Sequence, residues 1–411
     1  MVEINADRLL TTLRRLREFG ATGTGVVRPT LSAVDMAARR WLAQRMADAG
    51  LDARIDGVGT LLGRSRRAGK AMLIGSHSDT QPRGGWLDGA MGVVYAIEIA
   101  HSLAEHADTA AFAVDAASWS DEEGSYFGFL GSRSFCGESM EHAIEQARND
   151  KGERLAEAIA AAGLSHEPPH RLEPGRYLGY LEPHIEQGGV LEAAGQRIGV
   201  VTHIVGMRDF TIEITGRQNH AGTTPMRLRR DAGAAAIRLG NAIQSTMAGV
   251  AGPQSVWTIG RMSFDPGAPS IIPGRATFNQ QVRDVEAGRL EAMEAHVRGL
   301  VAEAARAGPC GVAIVPSKDA VEPAAMDSGF QDALAAAAER HVPGGWRRMP
   351  SGAGHDAQVL ARRMPAGMLF VPSIGGVSHD FAEDTSDEDI VLGCQVLATA
   401  AASILAAARG R

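Results

Sequence analysis

Cysteine is scarce: Cys136, Cys310 and Cys394 are the only three in 411 residues. An odd number with no Cys-x-x-Cys pair excludes a disulfide framework and a thiolate metal site, and a reducing compartment is the simple reading. Lysine is nearly absent too, limited to Lys70, Lys151 and Lys318. In a chain so rich in alanine and glycine, this points to a GC-rich genome rather than a functional choice. No basic block or stripe occurs and the formal net charge is -7, so nucleic acid is not an expected partner. No apolar run reads as long enough to span a bilayer, so no membrane is expected. The opening residues Met1–Arg8 lack a basic stretch followed by an apolar one. No signal peptide is therefore expected, and the expected location is cytoplasmic.

What is present is an ordinary globular composition, 45% hydrophobic and 22% charged, with enough chain for a large core over two to three domains. Asp7–Phe19 reads as an amphipathic helix with Leu9, Leu10, Leu13 and Leu16 on one stripe. A second helix is predicted from an N-cap at Ser32 to Ala49, ended by Gly50. Buried strands are predicted at Ala71–Gly75, Ala110–Ser118, Tyr177–Leu181 and Met368–Val371, with a helix at Gly92–Leu103 and a C-terminal helix from Asp387. Such alternation predicts an α/β sandwich on a largely parallel or mixed sheet.

From about Arg208 the texture changes. Phe210–Thr215 alternates as a half-exposed strand does. Asp231–Met247 reads as a helix, Ser255–Met262 and Ala276–Arg283 as strands, Val285–Ala307 as a long helix and Gly311–Pro316 as a last strand. That β-α-β-β-α-β order is the split ferredoxin-like unit. Residues 208–320 therefore read as one domain inserted into another made of 1–207 and 321–411.

Histidines and carboxylates collect in five loops, most of them directly after a predicted strand. These are Gly75-Ser76-His77-Ser78-Asp79-Thr80, Gly84-Gly85-Trp86-Leu87-Asp88-Gly89, Asp121-Glu122-Glu123-Gly124, Pro183-His184-Ile185-Glu186-Gln187-Gly188 and Val377-Ser378-His379-Asp380. Each is weak alone: a His-x-Asp is usually a surface pair, Glu-Glu a solvated turn and Asp-Gly an ordinary turn. Together they are hard to explain as turns. Ligands in open α/β sheets gather beyond the carboxyl ends of the strands. Imidazole and carboxylate without thiolate suit catalytic Zn, Mn, Co or Ni.

With these motifs go His220-Ala-Gly-Thr-Thr-Pro-Met, Ile-Pro-Gly274 and Ser-Gly-Ala-Gly354-His355-Asp356-Ala. Jointly the set resembles the hydantoinase/carbamoylase family of amidohydrolases, from the first helices to the C-terminal one. His184 points to this branch, since peptidase-like relatives usually carry a carboxylate there. The resemblance implies a metallopeptidase-type α/β/α catalytic domain with an inserted ferredoxin-like lid and dimerisation domain. It implies two divalent metal ions per subunit, one held by His77, Asp88 and His184, the other by Asp88, Glu123 and His379. Glu122 resembles the general base, His220 the lid histidine that stabilises the oxyanion, and Arg283 the arginine that grips the substrate carboxylate. Gln187, Ser270 and Gly354 would line the substrate pocket, and Asp79 would orient the His77 imidazole.

Three positions depart from the family pattern: Ser270 where Asn is common, Tyr126 where Arg is frequent, and Gly59-Thr60 where Gly-Asn is usual. They suggest a subgroup with a different substrate tail. The implied function is hydrolysis of the ureido C–N bond of an N-carbamoyl amino acid, an N-carbamoyl-L-amino acid or N-carbamoyl-β-alanine. Allantoate or another ureide is the alternative, with an N-acyl amino acid or dipeptide third. From another class, a silent binding or scaffold protein on this fold would have lost a ligand or Glu122, and neither is lost. The implied assembly is a homodimer through the lid.

Overall fold

In the computed structural model, which describes residues 2–315 and 320–409, the four apolar runs read as strands lie side by side. Tyr177–Ile185 is parallel to both Ala366–Val371 and Ala71–His77, and Ala71–His77 is parallel to Ala113–Trp119. Every residue of Ala71–His77 and of Ala113–Trp119 is buried. That is why these strands read as continuous apolar runs rather than as alternation. Antiparallel strands extend the sheet, Leu61–Ser65 and Leu51–Ile55 on one side, Ile198–Ile204 on the other. Sequence reading passed over these three, which are short or interrupted by glycine and charged residues.

The chain divides into two units, one made of the segments that end at Thr202 and begin again at Ala325, the other of His203–Ala324. The core of the first packs Leu9, Leu13 and Leu16 of helix Ala6–Arg17, Tyr95 and Ile99 of helix Ala90–Glu105 and Met72, Ile74 and Leu369 of the sheet. Ser32 caps the second helix as expected, accepting from the Asp35 N–H, and Asn5 caps the first by accepting from the Arg8 N–H.

One expectation is corrected. Helix Asp387–Arg409 is long and apolar enough, by length and composition, to cross a membrane. In the fold it packs on helix Ser328–His341 and on strand Ala366–Val371, with Ile390, Cys394 and Leu397 in the core. Its apolarity is that of a core helix.

In the second unit four antiparallel strands stand in the order Val256–Asp265, Arg275–Asp284, Gly206–Thr215, Gly311–Val315. With helices Ala232–Thr246 and Ala287–Ala307 they complete a βαββαβ unit. Along Gly206–Thr215 burial alternates residue by residue, placing Phe210, Ile212 and Ile214 in the core. Pro316, the predicted end of the last strand, lies outside the described residues. The three cysteines are free and buried.

Candidate metal centre and active site

Parallel strands deliver their carboxyl ends to one edge of the sheet, and the candidate residues stand there. His77 is the last residue of its strand and His184 the next to last of its own, both 1% exposed. The Glu122-Glu123 turn follows strand Ala113–Trp119, and the His379 turn follows Ala366–Val371. Asp121, Gln187 and His379 have φ of 55°, 58° and 55°. Left-handed backbone at non-glycine residues costs energy and is characteristic of functional sites.

Asp88 is the centre. Its Oδ1 lies 3.2 Å from His184 Nε2 and 3.6 Å from His77 Nε2, and its Oδ2 lies 3.1 Å from His379 Nε2. Glu123 Oε2 is 3.8 Å from the same His379 nitrogen. Two groups of potential ligand atoms result, His77 with Asp88 and His184, and Asp88 with Glu123 and His379, each with its atoms within 4.8 Å of one another. One carboxylate with one oxygen in each group has the form of a bridging ligand.

The donors suit metal ions. His77 Nδ1 donates to the Asp79 carbonyl at 3.0 Å and His184 Nδ1 to the Ile185 carbonyl at 2.9 Å. His184 Nε2 accepts from the Gly89 N–H at 3.2 Å, so Nδ1 carries the proton and Nε2 offers its lone pair. Three carboxylates, Asp88, Glu122 and Glu123, also crowd into one buried place. Burial pushes Glu122 well above the usual carboxylate range, with Glu123, Asp356 and Asp88 adding to it against His77. Burial and then Asp88 raise Glu123 to about 7. Burial opposes ionisation of Asp88, yet the close His184, His379 and His77 imidazoles hold it well below the usual range. Such an excess of negative charge calls for cations.

Glu122 Oε2 is 3.5 Å from His77 Nε2 and belongs to neither group. Gln187 Nε2 reaches Asp88 Oδ2 at 3.3 Å and His379 Nε2 at 3.2 Å. Asp79 meets His77 through its main-chain carbonyl, while its carboxylate stays 4.0 Å from His77 Nδ1. Gly354 stands beside Phe129 and Gln358, where a Cβ would lie 3.1 Å from the Phe129 ring. Its neighbour His355 packs edge-on against His184 at 4.6 Å between ring centres.

The other three candidates belong to the second unit. Asn219-His220 pairs with Ile271-Ile272, and the Ala221 N–H donates to the Ser270 carbonyl, so His220 and Ser270 are neighbours there. Arg283 lies on strand Arg275–Asp284, its Nε donating to Gln281 Oε1 at 2.7 Å.

Sequence reading missed several supports of the site. Gln81 donates its backbone and side-chain N–H groups to the Glu123 carboxylate at 3.1 and 2.7 Å. Arg39, fully buried, donates to Asp35 and to the carbonyls of Ser118 and Trp119, just ahead of the Glu122-Glu123 turn. Glu383 accepts from the Asp88 N–H. Nothing near these residues in sequence marks them, because their contacts with the site loops join distant segments. A cleft of about 610 Å³ borders Glu123, Gln81, Tyr126, Asn149 and Lys151 but not His77, His184 or His379. Tyr126, at the position where the family often has Arg, accepts there from Asn149 at 3.3 Å.

The sequence model of peptidase family M20/M25/M40 matches residues 73–403. The chain belongs to this family. Among members, an N-carbamoyl-L-amino acid amidohydrolase of Geobacillus stearothermophilus is 35% identical, the match covering 96% of this chain and 97% of the relative. An allantoate amidohydrolase of Escherichia coli (strain K12) is also 35% identical, over 94% and 95% of the two chains. The crystal structure of a hydantoinase/carbamoylase family amidase from Burkholderia phymatum superposes with a TM-score of 0.91 at 52% identity, covering 99% of both chains. This M20/M25/M40 member is thus a metal-dependent hydrolase of amide C–N bonds in the hydantoinase/carbamoylase branch.

Proposed function

We propose that the enzyme hydrolyses the ureido C–N bond of an N-carbamoyl amino acid, using His77, Asp88 and His184 for one divalent ion and Asp88, Glu123 and His379 for a second. The observation that carries this is the division of the Asp88 carboxylate, one oxygen to each group. Zn, Mn, Co or Ni ions held there would polarise the ureido carbonyl and lower the pKa of an attacking water.

Glu122 has no ligand role and serves as general base. It takes the proton of the water that attacks the ureido carbon and passes it to the departing nitrogen. The carbon–nitrogen bond breaks to give amine and carbamate, and carbamate falls apart to carbon dioxide and ammonia. Gln187 and Gly354 line the substrate site, and Asp79 steadies His77.

To His220 we assign stabilisation of the oxyanion, and to Arg283, with Ser270, the substrate carboxylate. A guanidinium offers a planar carboxylate two parallel hydrogen bonds. We further propose that His203–Ala324 acts as lid and dimerisation domain, that the enzyme is a homodimer, and that it works in the cytoplasm.

Allantoate is the second reading, favoured by the Escherichia coli relative at equal identity. Initial rates on N-carbamoyl-L-amino acids, N-carbamoyl-β-alanine and allantoate, each with Mn, Co, Ni and Zn, decide between them. The expected result is the highest kcat/KM on an N-carbamoyl amino acid. A clear preference for allantoate would replace the first reading by the second.

A further inference from the structure

His77 and His184 are held by buried strands, but His379 is not. It stands in a turn with its side chain 49% exposed and touches Asp88, Glu123 and Gln187 only through the tip of its ring. Something other than core packing must set where that turn lies. Four residues on, Glu383 is 1% exposed. Its Oε1 accepts from the Leu87 N–H at 3.2 Å and the Asp88 N–H at 3.0 Å, and its Oε2 accepts from the Ser378 hydroxyl at 2.9 Å. One carboxylate thus joins the residue that precedes His379 to the backbone of Asp88 itself. A neighbouring contact, Trp86 Nε1 to Asp384 Oδ1 at 3.3 Å, ties the same two loops.

The Gly84-Gly85-x-x-Asp88-Gly89 motif gains a physical reason from this arrangement. A Cβ on Gly85 would lie 1.8 Å from Glu383 Oε1, and one on Gly89 would lie 2.4 Å from the His77 ring. Gly85 is the hollow that admits the Glu383 carboxylate. A buried carboxyl group that holds three donors from two loops at once fixes the spacing between those loops.

We propose that Glu383, seated on Gly85, is the positioning residue of the second metal group: it sets the His379 turn against the Asp88 loop at the spacing an ion requires. The proposal rests on the two-ion reading above. Groups that orient metal ligands typically account for ten- to a hundredfold in metal affinity.

The test is calorimetric titration of Zn²⁺ into metal-free protein, with folding checked by circular dichroism. The expected wild-type result is two ions per chain. Glu383→Ala is expected to weaken one of them about ten- to a hundredfold and leave the other within about threefold. Glu383→Gln, which keeps an acceptor oxygen and can still pair with Ser378, should stay close to wild type. Gly85→Ala should weaken the same ion, but add little in the Glu383→Ala background, where the carboxylate it would strike is gone. A merely structural role would lower the melting temperature without separating the two ions.

Two ions bound at wild-type affinity by folded Glu383→Ala would overturn the proposal and leave the two-ion reading standing. One ion per wild-type chain would overturn both. Should Glu383→Ala not fold, Gly85→Ala decides: unchanged affinity for both ions overturns the proposal.

Discussion

Glu122 and Glu123 are neighbours in the chain yet turn to different histidines: Glu122 Oε2 lies 3.5 Å from His77 Nε2, and Glu123 Oε2 lies 3.8 Å from His379 Nε2. Adjacent side chains on a tight turn diverge, so one can bind an ion while the other handles protons. Glu122→Gln is expected to lower kcat on the order of a hundredfold or more with metal content unchanged. Glu123→Gln should lower metal content as well. Elemental analysis beside initial rates separates them, and near-normal turnover by Glu122→Gln would remove that residue from the mechanism.

Gly89 has φ +63° and leaves no room for a side chain beside His77. Gly89→Ala is expected to strain the backbone by about 1 kcal/mol and to push the His77 ring aside, weakening the ion proposed at His77, Asp88 and His184. Metal stoichiometry and the denaturation midpoint report the two effects separately. Wild-type values for both would refute the reading of Gly89 as the wall behind His77.

His170 is buried, with Nε2 donating to the Arg54 carbonyl at 2.9 Å and Nδ1 accepting from the Arg54 guanidinium at 3.1 Å. Burial holds its pKa below the usual imidazole range. As pH falls below about 6.5, the unfolded chain takes up the proton before the folded one does, so this contribution to stability is lost on acidification. Asp56, raised by burial and partly offset by His170, works in the opposite sense; its bond from the backbone N–H of residue 170 is kept in both proteins compared. The stability gap between wild type and His170→Gln in urea should therefore narrow from pH 7 to pH 5. A gap that stays constant would show that His170 titrates alike in both states.

If the enzyme is a homodimer in which His220 serves the partner's site, two inactive variants should complement. Mixing Glu122→Gln with His220→Ala would then create one site with both residues intact, and activity should reappear after subunit exchange. Exchange verified by tagged pull-down with no recovery would place His220 in cis. A monomer at micromolar concentration by light scattering would refute the dimer.

The four parallel strands were legible because strands covered on both faces are written as unbroken apolar runs, as in Ala71–Ile74 and Met368–Val371. The polar loops after those runs were legible for the same reason, since the chain must leave the core there. A helix start such as Ser32 follows from local chemistry that any four-residue window contains. The apolar stretch of Asp387–Arg409 shows the converse, because composition alone does not distinguish a core helix from a membrane-spanning one. Only the tertiary structure decided that Asp88 offers one oxygen to His184 and the other to His379, and that Glu383 meets the Asp88 N–H across 295 residues of chain. Periodicity and capping act over a few residues, whereas these contacts depend on the pairing and register of strands far apart in sequence, which no local pattern encodes.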